Sequence, residues 1–416
     1  PTSVSWNDCV ATFGQSRVQA RRIRVRTAHD RTGRERDLLI EGLVSQRIHL
    51  QDIGHLADLP IGGDAAATLS VDSDTDDVVL TGTARIENFS LATFPFGTLQ
   101  TPPGQGWRMQ GMRVTAPIIT GSHRQSHYEL HDPYLDFSRY SLAAGAHVQS
   151  PDMRLQDFYN MFHFEGDPTF TPYDGTGQVD AQVDYVLGRP GDDRDGVMTV
   201  DARIHHAQVL AFGERLTEGD AHVAYSWLRR RDGVRGARIS VEHFTARKGV
   251  GAVDASGWMD LGARMHFVAG ARDIPLGAVD MVRAADVPVS GTVSALFTVE
   301  GTPDAPRYDG DVQLDNLVVI GRPLGGVSID LTQTPEGAPA RGDERPPVGR
   351  IDVGVRALAE RLRLDASLHV PWASSRWRDG GGVEHTTWER AWGRSVATAS
   401  LSTRGRLDLL PWLPPT

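Results

Sequence analysis

The amino-acid sequence predicts an all-β protein. We expect an elongated, curled antiparallel β-ribbon with a taco-like groove, built from long repeats with a few short helices. The first observation behind this is an alternation of apolar and polar residues, as at Val293, Ala295, Phe297 and Val299 with only Leu296 out of phase, which is the period of a half-buried strand. The second is a long unit that recurs along the chain, and the third is the scarcity of long helical segments to cover a sheet.

The composition is typical of a folded, turn-rich chain and argues against nucleic acid as a partner. Hydrophobic residues make up 40% of the 416 and charged residues 23%, as in folded proteins, and 44 Gly with 24 Pro predict many turns. A net charge of −10 argues against nucleic acid as a partner, because phosphate binding needs a basic surface. The one cysteine, Cys9, excludes an internal disulfide and a thiolate metal cluster.

Neither a signal peptide nor a membrane helix is predicted in this sequence. Its opening, PTSVSWNDCVATFGQ, lacks the basic start and the apolar core of a signal peptide, so we expect an excised or processed piece. The stretch 88–107 is poor in charge, but it holds three prolines and three glycines, which a membrane helix would not tolerate.

Three stretches share one order of strands and turns. Each reads as a glycine, an alternating strand, a turn, a second alternating strand, a Phe-Gly or Leu-Gly corner and a third strand, and they cover residues 62–99, 175–225 and 291–331. The acidic turn DSDTDD at 72–77 begins like a calcium loop. It lacks Gly at position six and Glu at position twelve, so an acidic β-turn is expected instead.

A strand that runs into a short helical segment precedes each of these stretches. The segments have leucine, phenylalanine or valine at helical spacing and cover 48–63, 153–166 and 274–291. We expect them to pack against the ribbon, with lids or plugs in the groove as the alternative. Their leading residues Leu50, Leu155 and Leu276 are 105 and 121 residues apart, which is longer than the repeat of ordinary solenoids.

The recurring pattern gives a domain organisation. It predicts an N-terminal β segment at 1–49, repeat units at 50–154, 155–275 and 276–406, and the start of a further unit at 407–416. A Trp-rich insertion at 372–394 interrupts the third unit, and its amphipathic rings suit a lipid headgroup, a partner or the groove rim. These rings belong to Trp372, Trp377, Trp388 and Trp392.

Local pairing and one irregularity can also be predicted. Residues 239–244 and 253–261 read as a strand pair, and 362–370 alternates cleanly. Asn316 interrupts the alternation between Leu314 and Leu317, which predicts a register break or a β-bulge.

The apolar face of the strands must be hidden from water, and two arrangements achieve this. A two-layer sandwich would bury two faces against each other. A ribbon that coils through its accumulated twist would instead line a groove, and such a groove needs an apolar guest. The long repeated unit and the shortage of covering helices favour the groove.

One stretch carries a family resemblance. The sequence VSGTVSALFTVEGTPDAPRYDGDVQLDNLVVIGRPLGGVSIDL, residues 289–331, resembles the C-terminal half of TamB-like proteins of the AsmA-like superfamily. In that family a Gly, a strand, G-T-x-x-x-P, a strand and a Leu-Gly corner recur. The resemblance covers most of 50–416 and is best over 236–331, whereas the region before Leu50 matches less well and the insertion at 372–394 departs from it.

The resemblance implies a protein of the Gram-negative cell envelope. It implies a periplasmic location, an inner-membrane anchor in the full-length protein that this sequence lacks, and transport of phospholipids between the inner and outer membranes. Some members of the family pair with an outer-membrane assembly β-barrel and assist outer-membrane protein assembly, which makes such a barrel a further expected partner.

Under this interpretation the protein is not an enzyme, and it needs no cofactor and no metal. Phospholipid acyl chains would lie against the apolar face, with the headgroups at the open edge. The expected groove residues are Val179, Ala181, Val183, Tyr185, Met198, Val200, Ala202, Ile204, Val293, Ala295, Phe297, Val299, Val327, Ile329 and Leu331.

Two other functions stay open. One is a structural or adhesive β-rich envelope protein with a closed side-chain core. The other is a β-sandwich hydrolase, which would need convergent carboxylates or a histidine cluster in a cleft. The spacing of the residues in HRQSHYELH can place two histidines on one face, as zinc requires, but an exposed polar strand or loop is expected; the cluster is His123, His127, His131, Glu129 and Asp132.

Overall fold

The computed structural model is built almost entirely from β-strands. It describes residues 2–28, 35–57, 60–72, 79–91, 94–137, 142–166, 170–187, 194–230, 235–261, 263–302, 305–335, 349–359, 361–369, 372–378, 384–390 and 396–404.

The described residues contain 25 strands. The first eleven are β1 (Thr2–Phe13), β2 (Ser16–Ala28), β3 (Glu35–His49), β4 (Ile61–Asp72), β5 (Val79–Leu91), β6 (Phe94–Gln100), β7 (Trp107–Gln110), β8 (Arg113–Thr115), β9 (Ile118–His123), β10 (Ser126–Asp136) and β11 (Ala143–Arg154). The others are β12 (Tyr173–Leu187), β13 (Arg194–Ala211), β14 (Glu214–Arg230), β15 (Arg235–Lys248), β16 (Gly251–Asp260), β17 (Met265–Pro275), β18 (Val289–Thr302), β19 (Ala305–Val319), β20 (Arg322–Pro335), β21 (Gly349–Ala357), β22 (Leu362–His369), β23 (Trp372–Arg378), β24 (Glu384–Arg390) and β25 (Val396–Thr403).

Short helical elements occur where the sequence predicts them, directly after a strand. They are α1 (Leu50–Ala57), α2 (Leu155–Met161), and a 3₁₀ turn (Leu276–Ala278) followed by α3 (Asp280–Ala284). Each element starts at the leucine that leads its predicted segment. Within the described ranges, no helix combines the length and the apolar character that crossing a bilayer requires.

The strands pair in an antiparallel manner, mostly with their neighbours in sequence. Twenty-three of the described strands belong to one sheet, and β23 and β24 form a separate hairpin. Among the departures from sequential order, β6 pairs with β9, and β10 pairs with β8 as well as β9. The predicted all-β, antiparallel fold with a few short helices is therefore confirmed.

The chain divides into two compact units. Unit 1 comprises Pro1–His163, Thr176–Ala202 and Tyr225–Gly236, and unit 2 comprises Phe164–Gly175, Arg203–Ala224 and Ala237–Thr416. This division is independent of the repeat boundaries read from the sequence, which stay a prediction.

The predicted local features of unit 2 are confirmed. Asn316 has a φ of 51°, and the pairing of β19 with β20 shifts register between Leu314 and Leu317, so the bulge forms where the alternation breaks. Ile239 pairs with Met259, which joins the two stretches expected to form a strand pair.

The Trp-rich insertion interrupts the sheet without ending it. Strand β22 pairs with β25, for example at Ala366 and Ala399, so the hairpin of β23 and β24 is looped out of the ladder. The side chains of Trp372, Trp377, Trp388 and Trp392 lie outside the described part of the structure, and so does the start of the further unit at 407–416.

Candidate binding face

One face of the sheet in unit 2 carries a continuous apolar surface, which we call the apolar face of unit 2. Cross-strand partners of the same character follow each other from β16 to β25, because the register of each strand pair keeps mostly apolar residues opposite apolar residues. One row of partners reads Val253, Ala271, Ala295, Val312, Ile329, Val355, Leu364 and Leu401.

The opposite face of the same strands is polar and charged. Arg356 bonds Asp330 at 2.7 Å and Arg272 bonds Asp254 at 2.9 Å, each between neighbouring strands. Leu296, the residue out of phase with its strand, lies on this face and is 53% exposed. The two faces therefore differ sharply in their affinity for apolar molecules.

Seven of the predicted groove residues lie together on the apolar face of unit 2. On β18, Ala295 is opposite Val312, which is in turn opposite Ile329 on β20. Phe297 lies over its partner Gly310, where any Cβ atom would come within 2.3 Å of the ring, so only glycine lets the ring lie flat on the sheet. The full set is Val293, Ala295, Phe297, Val299, Val327, Ile329 and Leu331.

A small core closes one end of this face. Leu276 of the 3₁₀ turn packs with buried Leu317, Val327 and Ala357, and partly buried neighbours surround them. These neighbours come from β18 to β22 and from the turn between β21 and β22. The residues farther from the turn, Phe297 and Leu331 among them, are only partly buried.

The other predicted residues lie on β12 and β13. Val179, Ala181, Val183 and Tyr185 share one face of β12, opposite Ser150 and small apolar residues of β11. On β13, Met198 and Val200 are buried and Ala202 and Ile204 are partly buried. Ile204 belongs to unit 2 and the other seven to unit 1.

The sheet of unit 1 is curled, with α2 on its inner side. The ring of Phe162, directly after α2, lies 5.7 Å from Phe94 on β6 and 6.0 Å from Tyr225 on β14, measured between centroids. Five strands separate β6 from β14, so a flat sheet would hold them about 29 Å apart, whereas one ring joining both residues brings them within about 12 Å.

Burial of the aromatic residues alters their acidity. Burial raises the pKa of Tyr225 to about 12. In unit 2, burial raises the pKa of Tyr173 at the start of β12, and the proximity of Tyr308 on β19 adds to the shift. The side chain of Tyr225 is 7% exposed, and that of Tyr173 is partly buried.

Aspartates on the helical elements form hydrogen bonds that hold these elements against hairpin turns. Asp52 of α1 accepts hydrogen bonds from the N–H groups of Gln15 and Ser16 and from the Ser16 hydroxyl, which is the main reason that the pKa of Asp52 is lowered. A Cβ atom on Gly14, in the same turn, would overlap the Asp52 carboxylate. Asp157 of α2 repeats the arrangement with Gln125 and Ser126.

The third aspartate, Asp280 of α3, is held by the one lysine of the chain. Lys248 is 5% exposed and donates to Asp280 and to the Arg215 carbonyl, and its Nζ lies 2.8 Å from Glu214. Glu214 in turn accepts the N–H groups of Asp280 and Met281 at the start of α3. This lysine network was not predicted from the sequence, where Lys248 stood out only by its rarity.

The histidine cluster is dispersed over separate partners. The Nε2 atom of His123 lies 2.8 Å from the Asn160 amide oxygen, His127 pairs with Asp152 at 2.9 Å, and His131 Nε2 lies 3.3 Å from Glu129. Across the described ranges, no three His, Cys, Asp or Glu side chains converge as a metal site would require. Apart from Asp72 at the end of β4, the acidic turn at 72–77 lies outside the described residues.

A shallow pocket among the described residues lies mostly on the polar side of the C-terminal strands. Its lining includes Asp330, Asp352, Arg356, Arg363 and Asp365. It contains none of the predicted groove residues. These charged groups pair with one another across and along the strands, as Arg363 does with Asp365 at 2.8 Å.

Comparison with protein-family models, with curated proteins and with solved structures found no match.

Proposed function

We propose that the chain binds phospholipid acyl chains along its apolar faces and conducts phospholipids between the inner and outer membranes across the periplasm. The observation that carries the proposal is the unbroken apolar ladder from β16 to β25, backed by a charged opposite face. The resemblance to TamB-like proteins supports the same role, the envelope location and an outer-membrane assembly barrel as a further partner.

The chemistry of the face suits a sliding guest. Each CH₂ group removed from water contributes about 0.8 kcal/mol, so an acyl chain is held by many weak contacts and by no single strong one. The ring of Phe297 lies close over Gly310, which keeps this large side chain near the sheet. The role needs no catalytic residue and no cofactor.

The test is native mass spectrometry with lipid extraction on the purified chain, wild type against Phe297→Asp. We expect phospholipid to co-purify with the wild type and the variant to hold about fivefold less or lower still, because a carboxylate on the apolar face is costly to bury beside an acyl chain.

Leu296→Asp is the matched control, since the neighbouring residue points to the polar face. It should retain the wild-type lipid. Equal lipid in all three proteins would contradict the assigned face. A folded but lipid-free wild type would instead favour the structural or adhesive role with a closed core.

A further inference from the structure

Helix α2 has two functional sides. Towards the hairpin turn of β9 and β10, Asp157 and Asn160 form hydrogen bonds, and towards the sheet, Phe158 and Phe162 form aromatic contacts. The rings of Phe158 and Phe162 are 4.5 Å apart, and Phe162 bridges Phe94 and Tyr225. The helix therefore lies across the curled face of unit 1 and occupies the space between its walls.

The position of α2 depends on tertiary contacts. It has seven residues, and Arg154 at its N-cap makes no side-chain capping bond, so it has little stability of its own. Asp157 is 4% exposed and Ser126 is fully buried, with 2.7 Å between the carboxylate and the hydroxyl. The Ser126 hydroxyl also accepts the N–H of Arg154 at 2.9 Å. Two residues thus fix the start of the helix.

We propose that Phe162 is a constriction that closes the inner side of the curled sheet of unit 1, the channel of this proposal, to acyl chains, and that the Asp157–Ser126 bond is the latch that keeps it closed. The inference rests on the proposed function, because the channel is the one proposed to carry lipid. Phe162 determines whether a chain passes, and Asp157 is a positioning residue that acts through the helix.

The experiment uses the whole chain with three variants: Phe162→Ala, the milder Phe162→Leu in case the first does not fold, and Asp157→Asn. Asp52→Asn is the matched control, since it weakens the equivalent latch of α1, where no aromatic bridge is formed among the described residues. The readouts are transfer of an acyl-labelled phospholipid between vesicles, binding of an apolar naphthalene dye, and hydrogen exchange of α2.

We expect the Phe162 variants to transfer lipid at least about threefold faster and to bind more dye, at unchanged hydrogen exchange of the flanking strands. Asp157→Asn should raise exchange in α2 about tenfold and speed transfer too, because it releases the constriction. Asp52→Asn should raise exchange in α1 alone and leave transfer unchanged.

The outcomes separate this inference from the proposed function. Lipid bound by the wild type, with transfer and dye binding unaltered or lowered in folded Phe162 variants, would overturn the constriction and leave the conduit. If the wild type holds no lipid but the Phe162 variants bind more dye than it does, the proposed lipid transport is overturned and the constriction at Phe162 is supported. Faster transfer in Asp52→Asn as well would overturn the assignment of the latch to Asp157.

Discussion

Lys248 shows how one residue type is selected by its surroundings. The sequence has 43 basic residues, and all but this one are arginine. The ammonium group meets two carboxylates and the Arg215 carbonyl, so its three donors match three acceptors around a point. The planar fork of a guanidinium cannot reproduce that arrangement in a buried site.

Replacing Lys248 by Met should destabilise unit 2 by roughly 2–3 kcal/mol, since Glu214 and Asp280 would lose their shared counter-charge. Lys248→Arg should recover less than half of this loss. Urea unfolding followed by circular dichroism measures both, and full stability in the arginine variant would contradict the geometric argument.

The same network predicts a response to acid. The hydrogen bond from Lys248, with that from the Arg215 N–H, holds the pKa of Asp280 well below its usual 3.8. Burial alone would raise the pKa of Glu214. The hydrogen bonds from Lys248 and from the N–H groups of α3 outweigh this effect, so the pKa of Glu214 is lowered. A carboxyl group whose pKa is lowered by folding stabilises the fold at pH values above its unfolded-state pKa. This contribution is lost as the pH falls through the folded-state pKa.

We therefore expect the amide exchange rate of α3, corrected for the pH dependence of intrinsic exchange, to be constant above pH 5. The corrected rate should rise as the pH falls below about 4. Hydrogen exchange across this range measures the effect. In Lys248→Met the rate should already be high at neutral pH, and an acid response identical to that of the wild type would count against the network.

Gln333 is a polar residue on the apolar face. It lies opposite Ile351, is 5% exposed, and its amide oxygen has no hydrogen-bond partner among the described residues. Gln333→Leu removes an uncompensated buried acceptor, so it should raise stability by about 1–2 kcal/mol. A thermal melt tests this, and Thr332→Leu on the exposed neighbour is the control that should gain nothing.

At the scale of the element, the bulge at Asn316 illustrates what the sequence predicts well. A φ of 51° is tolerated by asparagine and easily adopted by glycine, but it is strained for a β-branched residue. Asn316→Gly should be nearly neutral, and Asn316→Val should cost about 1–2 kcal/mol, measured as a shift in the urea midpoint. Equal midpoints would mean that the strand slips register instead.

Strand type, strand faces and helix starts could be predicted because they depend on neighbouring residues. The period of two placed Val293 and Phe297 on one face, and each leucine-led segment became a helical element. Contacts between distant residues could not be predicted this way. Asp157 reaches Ser126 across 31 residues, and the ring of Phe162 meets Phe94 and Tyr225, for which local alternation carries no signal.

At the scale of the whole molecule, alternation shows which side chains share a face but leaves open how the sheet bends. In unit 1 the curl is inferred from the ring of Phe162, which contacts both Phe94 and Tyr225. Bending towards the apolar side hides part of that face from water without a second layer, which explains how the strands of unit 1 can be stable with few helices.

A cross-linking measurement tests the curl. In a Cys9→Ser background, a bismaleimide that spans about 10 Å should cross-link Phe94→Cys with Tyr225→Cys. The same reagent could not link these positions in a flat sheet, where their strands would be about 29 Å apart. Gln100→Cys with Ser226→Cys uses the same two strands on the opposite face and should stay unlinked. Linking of both pairs, or of neither, would contradict the curl.

The rarity of lysine also gives the molecule a built-in chemical reporter. Succinimidyl esters acylate exposed amines, and here the only side-chain amine is enclosed between Glu214 and Asp280. Acylation of that side chain therefore requires α3 to lift away, so its rate counts openings of one helix in a protein with no competing lysine. A single mass increment on one peptide could then be followed over time, in vesicles or in cells, without introducing a foreign residue.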